Sequence, residues 1–148
     1  MNSKNYSSRI LVLCTGNSCR SQMAEAFLKS FDNSLEVYSA GTEPSAEVHP
    51  LTIEVMKEIG IDLSRSKPKP VDDFLNISFD YVITVCDDAN ETCPNFYGKV
   101  KHRLHFPFED PAQAKGEKAK VLGKFREVRD LIKNKFEKFY QTEIKKKD

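Results

Sequence analysis

The sequence has few of the features that mark membrane proteins and nucleic-acid-binding proteins. No apolar run is long enough to span a bilayer, and the first eight residues are polar and unlike a signal peptide. The net charge is only +1, and the basic residues are dispersed except for the run Lys145–Lys147, which argues against a nucleic-acid footprint. We therefore expect no membrane and no nucleic acid among the partners, and a cytoplasmic protein whose thiols are reduced.

Metal-binding patterns are also missing. The chain has four cysteines, and none of their spacings is the C-x-x-C pair of a zinc knuckle. The histidines His49, His102 and His105 have no paired spacing for a metal. A structural disulfide is disfavoured in a reduced cytoplasm, whereas a transient catalytic one is allowed there. We expect no cofactor and no metal, so the chemistry must come from the side chains.

Length and composition predict one domain. A chain of 148 residues that is 39% hydrophobic suits a single core, and the sequence has no internal repeat. We expect one catalytic domain over residues 1–148, acting as a monomer, with flexible tails at 1–8 and 142–148.

Apolar periodicity predicts strands and helices that alternate along the chain. The predicted strands are Ile10–Leu13, Leu35–Ser39, Tyr81–Val85 and Val100–Phe106. The predicted helices are Cys19–Phe31, Pro50–Ile59, Val71–Leu75 and Glu117–Tyr140. An apolar stripe on the last helix, which includes Val121 and Leu131, should face the core. Such alternation indicates an α/β fold, a four-stranded parallel sheet with helices on both faces.

The most informative segment is C-T-G-N-S-C-R, Cys14–Arg20, which we call the oxyanion loop; it is predicted to join the first strand to the first helix. Gly16 lets the main chain approach a ligand, and Asn17 tolerates a left-handed turn. The planar fork of Arg20 matches two oxygens of one oxyanion. The backbone N–H groups of the loop should converge on the same anion. The residues expected to bind it are Thr15, Gly16, Asn17, Ser18, Cys19 and Arg20, the Cys19 side chain itself having no chemical role.

Cys14 lies where the positive field of this loop is strongest. A helix N-terminus and a nearby cation lower the pKa of a cysteine, and a thiolate inside an oxyanion cradle indicates covalent catalysis. The alternative is a buried strand-end cysteine in a mere connector, but the spacing to Arg20 favours a nucleophile. Ser21 has two open interpretations, a hydroxyl that donates to the thiolate or a helix cap.

Further reactive residues follow the later strands, whose carboxyl ends are where such sheets bind ligands. Cys86 and Cys93 come after the third predicted strand in a polar segment. If that strand pairs beside the first, Cys86 emerges at the sheet edge that holds Cys14, and three thiols could act in sequence. Asp110 is the candidate general acid, with Glu109 as second choice. The alternative for Asp110 is a turn or N-cap residue.

Four features together resemble the thioredoxin-coupled arsenate reductase family. They are C-T-G-N-S-C-R-S-Q-M-A-E, V-Y-S-A-G, the Cys86 and Cys93 pair, and F-E-D-P. The resemblance spans about Arg9 to Tyr140 and implies a flavodoxin-like three-layer sandwich, which that family shares with the low-molecular-weight tyrosine phosphatases. The loop alone does not separate the two groups. The second and third cysteines do, as does the lack of the tyrosine that such phosphatases usually carry after the Asp-Pro pair.

The resemblance implies a reaction sequence for arsenate. Cys14 would attack arsenate held by Arg20 and the loop amides while Asp110 protonates the departing oxygen. Cys86 would then attack Cys14 and expel arsenite, and Cys93 would attack Cys86. The product would be a Cys86–Cys93 disulfide, expected at the surface because thioredoxin, the implied electron donor, must reach it.

Two other functions stay open from the sequence. A low-molecular-weight tyrosine phosphatase would need only Cys14, Arg20 and Asp110 and would hydrolyse phosphate esters. A non-catalytic oxyanion or redox-sensing module would bind phosphate without releasing arsenite. Arsenate and phosphate have the same shape and charge, so weak phosphatase activity is compatible with a reductase.

The resemblance also raises the question of an alkali ion. Some family members bind potassium beside the loop, and Asn17, Glu25 and Ser39 match three of the positions concerned. Around the fourth position this chain reads K-P-K-P, Lys67–Pro70, where members with the ion tend to have an acid. A lysine ammonium could replace the ion, so we expect activity without potassium. Glu25 would then pair with Lys69 or orient Asn17.

Overall fold

A sheet of four parallel strands forms the centre of the fold, as the sequence predicts. The computed structural model describes residues 8–87 and 96–145. The strands are β1 (Arg9–Cys14), β2 (Glu36–Gly41), β3 (Phe79–Thr84) and β4 (Val100–His105). Their order across the sheet is β2-β1-β3-β4, and all three pairings are parallel. The strand that leads into the oxyanion loop is therefore held from both sides.

Helices connect these strands close to the predicted positions. They are α1 (Arg20–Phe31), α2 (Pro50–Lys57) and α3 (Lys118–Phe139), with short 3-10 turns at Val71–Phe74 and Pro111–Gln113. The second helix ends at Lys57 and not at Ile59, and the predicted short helix after Pro70 is a 3-10 turn. Among the described residues, no helix combines the length and apolarity needed to cross a membrane.

The two faces of the sheet are covered unequally. Side chains alternate along β1, so that Ile10 and Val12 enter the main core with α1, α2 and α3, while Leu11 and Leu13 enter a second core. In this second core, Phe74 of the 3-10 turn packs together with Phe79, Val82 and Phe96. Each fully buried side chain of this size contributes about 2 kcal/mol from apolar burial. Helical segments lie on both faces, and within residues 8–87 and 96–145 the second face is covered by the short Val71–Phe74 turn.

One position on α3 differs from its predicted environment. Leu131 was expected to face the core, yet its side chain is 52% exposed. The neighbouring Arg129 is buried instead, and its Nη1 donates to Val55 O at 2.9 Å and to Glu58 Oε1 at 3.0 Å. Arg129 can be buried there because Val55 O accepts one of its N–H groups and the Glu58 carboxylate, at the end of α2, balances its charge.

The chain does not become a tail at residue 142. It continues from α3 into a π-helical turn, Tyr140–Ile144, in which Ile144 is 2% exposed. The Tyr140 hydroxyl donates to Asp32 Oδ2 at 2.8 Å. The expectation of a tail is therefore wrong for residues 142–145, because a buried side chain fixes them to the body. Residues 1–7 and 146–148 lie outside the described part, and Ser8 O accepts from Glu36 N at 3.0 Å.

Replacing Ile144 with alanine should lower the free energy of unfolding by about 2 kcal/mol, because the change empties a buried site. Urea denaturation followed by circular dichroism measures the effect. Glu143→Ala, on the exposed side of the same turn, is the matched control and should change stability by less than about 0.5 kcal/mol. Equal stability of the two variants would contradict the anchoring role of Ile144.

Candidate active site

The oxyanion loop leaves the carboxyl end of β1 and enters the first turn of α1. Cys14 is the last residue of β1 and is 3% exposed, and Arg20 is the first residue of α1. Asn17 has φ 52°, the left-handed conformation expected of it. The N-terminal N–H groups of α1 have no partner within the helix itself, so they are available to an anion at the loop.

A neighbouring segment, residues 43–49, pulls the carbonyl groups of the loop outward. Three backbone hydrogen bonds do so: Glu43 N to Thr15 O (3.0 Å), Ser45 N to Gly16 O (2.9 Å) and His49 N to Ser18 O (3.1 Å). The described peptide bonds are all trans, and in a trans peptide the N–H of the next residue points opposite to the carbonyl. The following N–H groups therefore point away from the 43–49 segment. Sequence reasoning missed this segment, because its contribution is made by the backbone and leaves no side-chain signature.

Gly41 is a second residue whose role the sequence reasoning missed. It pairs with Cys14 in the β1–β2 register, and a Cβ built on it would lie 2.3 Å from Thr15 O. Only glycine fits so close to a fixed backbone oxygen. Gly16 is less constrained, because its added Cβ would meet the movable Ser45 Oγ at 2.9 Å. Gly41 is the last residue of the V-Y-S-A-G segment, which contributes to the family resemblance. The steric need for glycine there is visible only in the structure.

Arg20 and Asp110 face each other across the loop. The Arg20 side chain is 4% exposed, its Nη1 donates to Phe108 O at 3.0 Å, and its Nη2 lies 3.7 Å from Asp110 Oδ2. The other carboxylate oxygen of Asp110 accepts from Ala112 N at 2.9 Å, which caps the Pro111–Gln113 turn. The interpretation of Asp110 as an N-cap is confirmed, and its other carboxylate oxygen faces the guanidinium, so its role as the general acid stays a prediction.

Glu109, the second choice for a general acid, also lines the cleft but is paired with a lysine of α3. Its Oε1 accepts from Lys124 Nζ at 3.1 Å, and its side chain is 58% exposed. This hydrogen bond raises the pKa of Lys124. The exposed ion pair directs Glu109 toward α3, which leaves Asp110 as the better-placed acid.

The pairing of β3 beside β1 brings Cys86 to the edge that holds Cys14, as predicted. Leu13 is opposite Thr84, and Val85 N donates to Leu13 O at 3.0 Å, which extends the pairing to the residue before Cys86. Cys14 and Cys86 belong to one buried cluster. Cys14 and Cys19 are in no disulfide, whereas Cys86 is disulfide-bonded and fully buried.

The burial of Cys86 differs from the expected surface disulfide. Because an external dithiol cannot reach a fully buried sulfur, it would have to attack the other sulfur of that bond. Cys93 lies outside the described residues, so its pairing with Cys86 stays a prediction.

Cys19 and Ser21 flank Arg20 where the loop enters α1, and both residues are buried. Burial raises the pKa of the Cys19 thiol above its usual value of about 9, which keeps it protonated at neutral pH. Cys19 also occupies the N-cap position of α1, so the interpretation of Ser21 as the helix cap is wrong. The Ser21 hydroxyl instead accepts from Asn17 Nδ2 at 2.7 Å.

The polar residues expected near an alkali ion do not fit one. Asn17 Oδ1 accepts from Lys69 N at 2.9 Å, and Asn17 Nδ2 donates to Ser39 Oγ at 2.9 Å. Ser39 Oγ in turn donates to Glu25 Oε1, and Lys69 Nζ lies 3.8 Å from that same carboxylate oxygen. An alkali ion needs oxygen lone pairs, and these are already turned to N–H, O–H and ammonium groups.

The histidines lie apart from one another. His49 lines the cleft beside the loop and accepts from Leu51 N at 3.1 Å through Nδ1. His102 stacks on Tyr81 with ring centroids 5.0 Å apart, and His105 lies at the end of β4. In residues 8–87 and 96–145, no group of three or more His, Cys, Asp or Glu side chains could hold a metal ion.

A cleft of about 780 Å³ opens above the loop. Outside the loop it is lined by Glu43, Ser45, His49, Asp87, Glu109, Asp110, Ala112 and Gln113. Within the described part of the chain, no Phe or Tyr side chain lines this cleft. The geometry suits a small tetrahedral oxyanion.

A buried thiol and a buried guanidinium at the two ends of one loop, on a parallel α/β sheet, define a cysteine-dependent oxyanion-binding protein. The model of the low molecular weight phosphotyrosine protein phosphatase family matches residues 9–148. The chain belongs to that family.

Relatives within this family are arsenate reductases. The arsenate reductase of Bacillus subtilis (strain 168) is 42% identical over 134 residues, covering 90% of this chain and 95% of the relative. The solved structure of an arsenate reductase in the phosphate binding state superposes with a TM-score of 0.75 at 33% identity. The match covers 90% of this chain and 96% of that chain. A thioredoxin-dependent arsenate reductase from Corynebacterium glutamicum superposes with a TM-score of 0.69 at 30% identity, covering 95% of this chain and 63% of that one.

Gly41→Ala should reduce phosphate affinity by about tenfold or more, because the added methyl group displaces Thr15 O and with it the loop. Isothermal titration with inorganic phosphate measures the change. Gly123→Ala on α3, where an added Cβ has open space, is the matched control and should keep the parental affinity. Parental affinity in Gly41→Ala would contradict the steric role.

Proposed function

We propose that this protein is an arsenate reductase that converts arsenate to arsenite through a relay of Cys14, Cys86 and Cys93. The observation that carries the proposal is the placement of two cysteines at one sheet edge. Cys14 lies at the start of the oxyanion loop, and Cys86 follows the adjacent strand β3 and belongs to the same buried cluster.

The first step forms a bond between sulfur and arsenic. Arsenate is held by the Arg20 guanidinium and the loop N–H groups, which stabilise its negative charge. The Cys14 thiolate attacks arsenic, and one oxygen leaves as water after accepting a proton from Asp110. Two observations support this role for Asp110: it lines the cleft above the loop, and its Oδ2 lies 3.7 Å from Nη2 of Arg20, the residue that holds the oxyanion. The product is a covalent Cys14–arsenic adduct with arsenic still pentavalent.

The second step reduces arsenic. The Cys86 thiolate attacks the Cys14 sulfur, a Cys14–Cys86 disulfide forms, and the electron pair of the sulfur–arsenic bond stays on arsenic, which leaves as arsenite. Cys93 then attacks Cys86 and releases Cys14 as a thiolate. Two thiols have supplied the two electrons, and a Cys86–Cys93 disulfide remains.

An external dithiol must then reduce that disulfide, and we assign this role to thioredoxin. Because Cys86 is fully buried, the incoming thiolate must attack the Cys93 sulfur. Such a cycle requires a compartment that keeps thiols reduced, so we propose that the protein acts in the cytoplasm. We further propose that it acts as a monomer and without an added cofactor.

Arsenite release in a single turnover tests the relay. Fully reduced protein mixed with arsenate, with no added reductant, should release about one arsenite per chain, because each chain carries two electrons in the relay thiols. Peptide mass mapping should then find a Cys86–Cys93 bridge. Adding thioredoxin, its reductase and NADPH should convert the burst into continuous turnover.

Matched cysteine variants separate the reductase from a phosphatase. Cys86→Ser and Cys93→Ser should lose arsenate turnover but still hydrolyse an aryl phosphate slowly, since hydrolysis needs only Cys14, Arg20 and Asp110. Cys19→Ser, which keeps the loop backbone, is the control and should retain both activities. Absence of arsenite, intact thiols and steady aryl phosphate hydrolysis in the parent protein would leave a phosphatase.

Asp110→Asn should slow the single-turnover release of arsenite by about a hundredfold, because asparagine can cap the following turn but cannot donate the proton. Rapid-quench sampling of arsenite measures the rate. Glu109→Gln removes the neighbouring carboxylate and should change the rate by less than about threefold. A larger loss in Glu109→Gln than in Asp110→Asn would reverse the assignment of the acid.

A further inference from the structure

Beneath the oxyanion loop lies a buried polar network that determines the conformation of Asn17. Asn17 is fully buried and has a positive φ, so its side-chain contacts hold the loop in a conformation that most residues avoid. Its amide donates to Ser21 Oγ at 2.7 Å and to Ser39 Oγ at 2.9 Å. Ser39 Oγ in turn donates a hydrogen bond to Glu25 Oε1. The network therefore ends in a carboxylate whose side chain is only 13% exposed.

Lys69 contacts this network at two points. Its backbone N–H donates to Asn17 Oδ1 at 2.9 Å, and its backbone carbonyl accepts from Gly41 N at 2.8 Å. Its ammonium group lies 3.8 Å from Glu25 Oε1 and donates to Lys67 O at 3.1 Å. Burial lowers the pKa of Lys69, and the Glu25 charge opposes this shift. The lysine is thus a partly buried cation at the end of the Asn17 network.

A second lysine contacts the same carboxylate from outside. Lys29 Nζ donates to Glu25 Oε2 from one turn further along α1, and its side chain is 54% exposed against 33% for Lys69. An exposed pair four residues apart on a helix contributes little and is screened by salt. The oxygen that Lys29 binds is not the one that accepts from Ser39. Lys29 and Lys69 therefore form a natural pair for comparison, with the same charge and the same carboxylate but different positions.

We propose that the Lys69 ammonium is a built-in counter-cation of Glu25 that fixes the Asn17 network, so that oxyanion binding needs no external alkali cation. The physical reason is that Lys29 contacts only Glu25 Oε2, whereas Oε1, which accepts from Ser39, faces Lys69. Without Lys69 this largely buried oxygen would have no cation beside it, and the carboxylate would rearrange its hydrogen bonds. Rearrangement of Glu25 would release Ser39, then Asn17, and so loosen the loop. Lys69 is a positioning residue, because it acts through Asn17 and does not touch the anion. The proposal rests on the oxyanion-binding part of the proposed function and not on the thiol relay.

The test compares phosphate binding in potassium and in choline chloride at the same ionic strength of about 0.1 M. Inorganic phosphate is the probe and isothermal titration the readout, so reduction chemistry is not involved. The wild type should bind phosphate equally in both salts. Lys69→Met should bind about fivefold more weakly in choline chloride, with most of the loss restored by potassium chloride. Lys29→Met and the charge-conserving Lys69→Arg should both resemble the wild type in either salt.

Thermal unfolding in the same two salts gives a second readout that needs no ligand. Lys69→Met should be stabilised by potassium relative to choline, whereas the wild type and Lys29→Met should not. Wild-type affinity in Lys69→Met, a loss that potassium does not restore, or a specific potassium requirement in the wild type would each overturn the counter-cation role. A wild type that binds no phosphate would instead contradict the proposed function, and the thermal comparison would still decide the role of Lys69.

Discussion

The site depends on the orientation of the peptide groups in the oxyanion loop. An anion can be held there only if the loop presents N–H groups and not carbonyl oxygens to it. The 43–49 segment imposes that orientation, because its own N–H groups bind three loop carbonyl oxygens from outside. Gly41 then lets the end of β2 approach one of these oxygens more closely than any side chain would permit. The positive charge of Arg20 adds to the electrostatic field of these oriented backbone N–H groups.

Sheet topology determines which thiols can meet. Parallel strands carry their following loops at the same edge, so pairing β3 beside β1 places Cys86 next to the loop of Cys14 although they lie far apart in the chain. Both residues end up in one buried cluster. Burial shields both sulfurs from solvent and prevents an external reagent from reaching Cys86 directly.

The charged groups around the loop have oppositely charged side chains close by. Arg20 is balanced by Asp110 at 3.7 Å, and Glu25 is approached by Lys69 and Lys29. A buried charge that loses its partner is costly, so such pairs restrict the geometry of the loop. The two pairs differ in position, because Asp110 lines the cleft above the loop, whereas Glu25 lies behind the loop at the end of the Asn17 network.

The sequence by itself determined the parts of the protein that depend on local spacing. Periodicity predicted the strands and helices, and the C-T-G-N-S-C-R spacing predicted a thiol and a guanidinium on one loop with Asn17 in a left-handed turn. Tertiary structure alone decided the features that join distant segments. The Lys69 N–H reaches Asn17 across 52 residues, and the Tyr140 hydroxyl reaches Asp32 across 108. It also decided that Leu131 is exposed while Arg129 is buried. Such contacts depend on how elements pack in space, and hydrophobic pattern and residue type report only which side of an element tends to be buried.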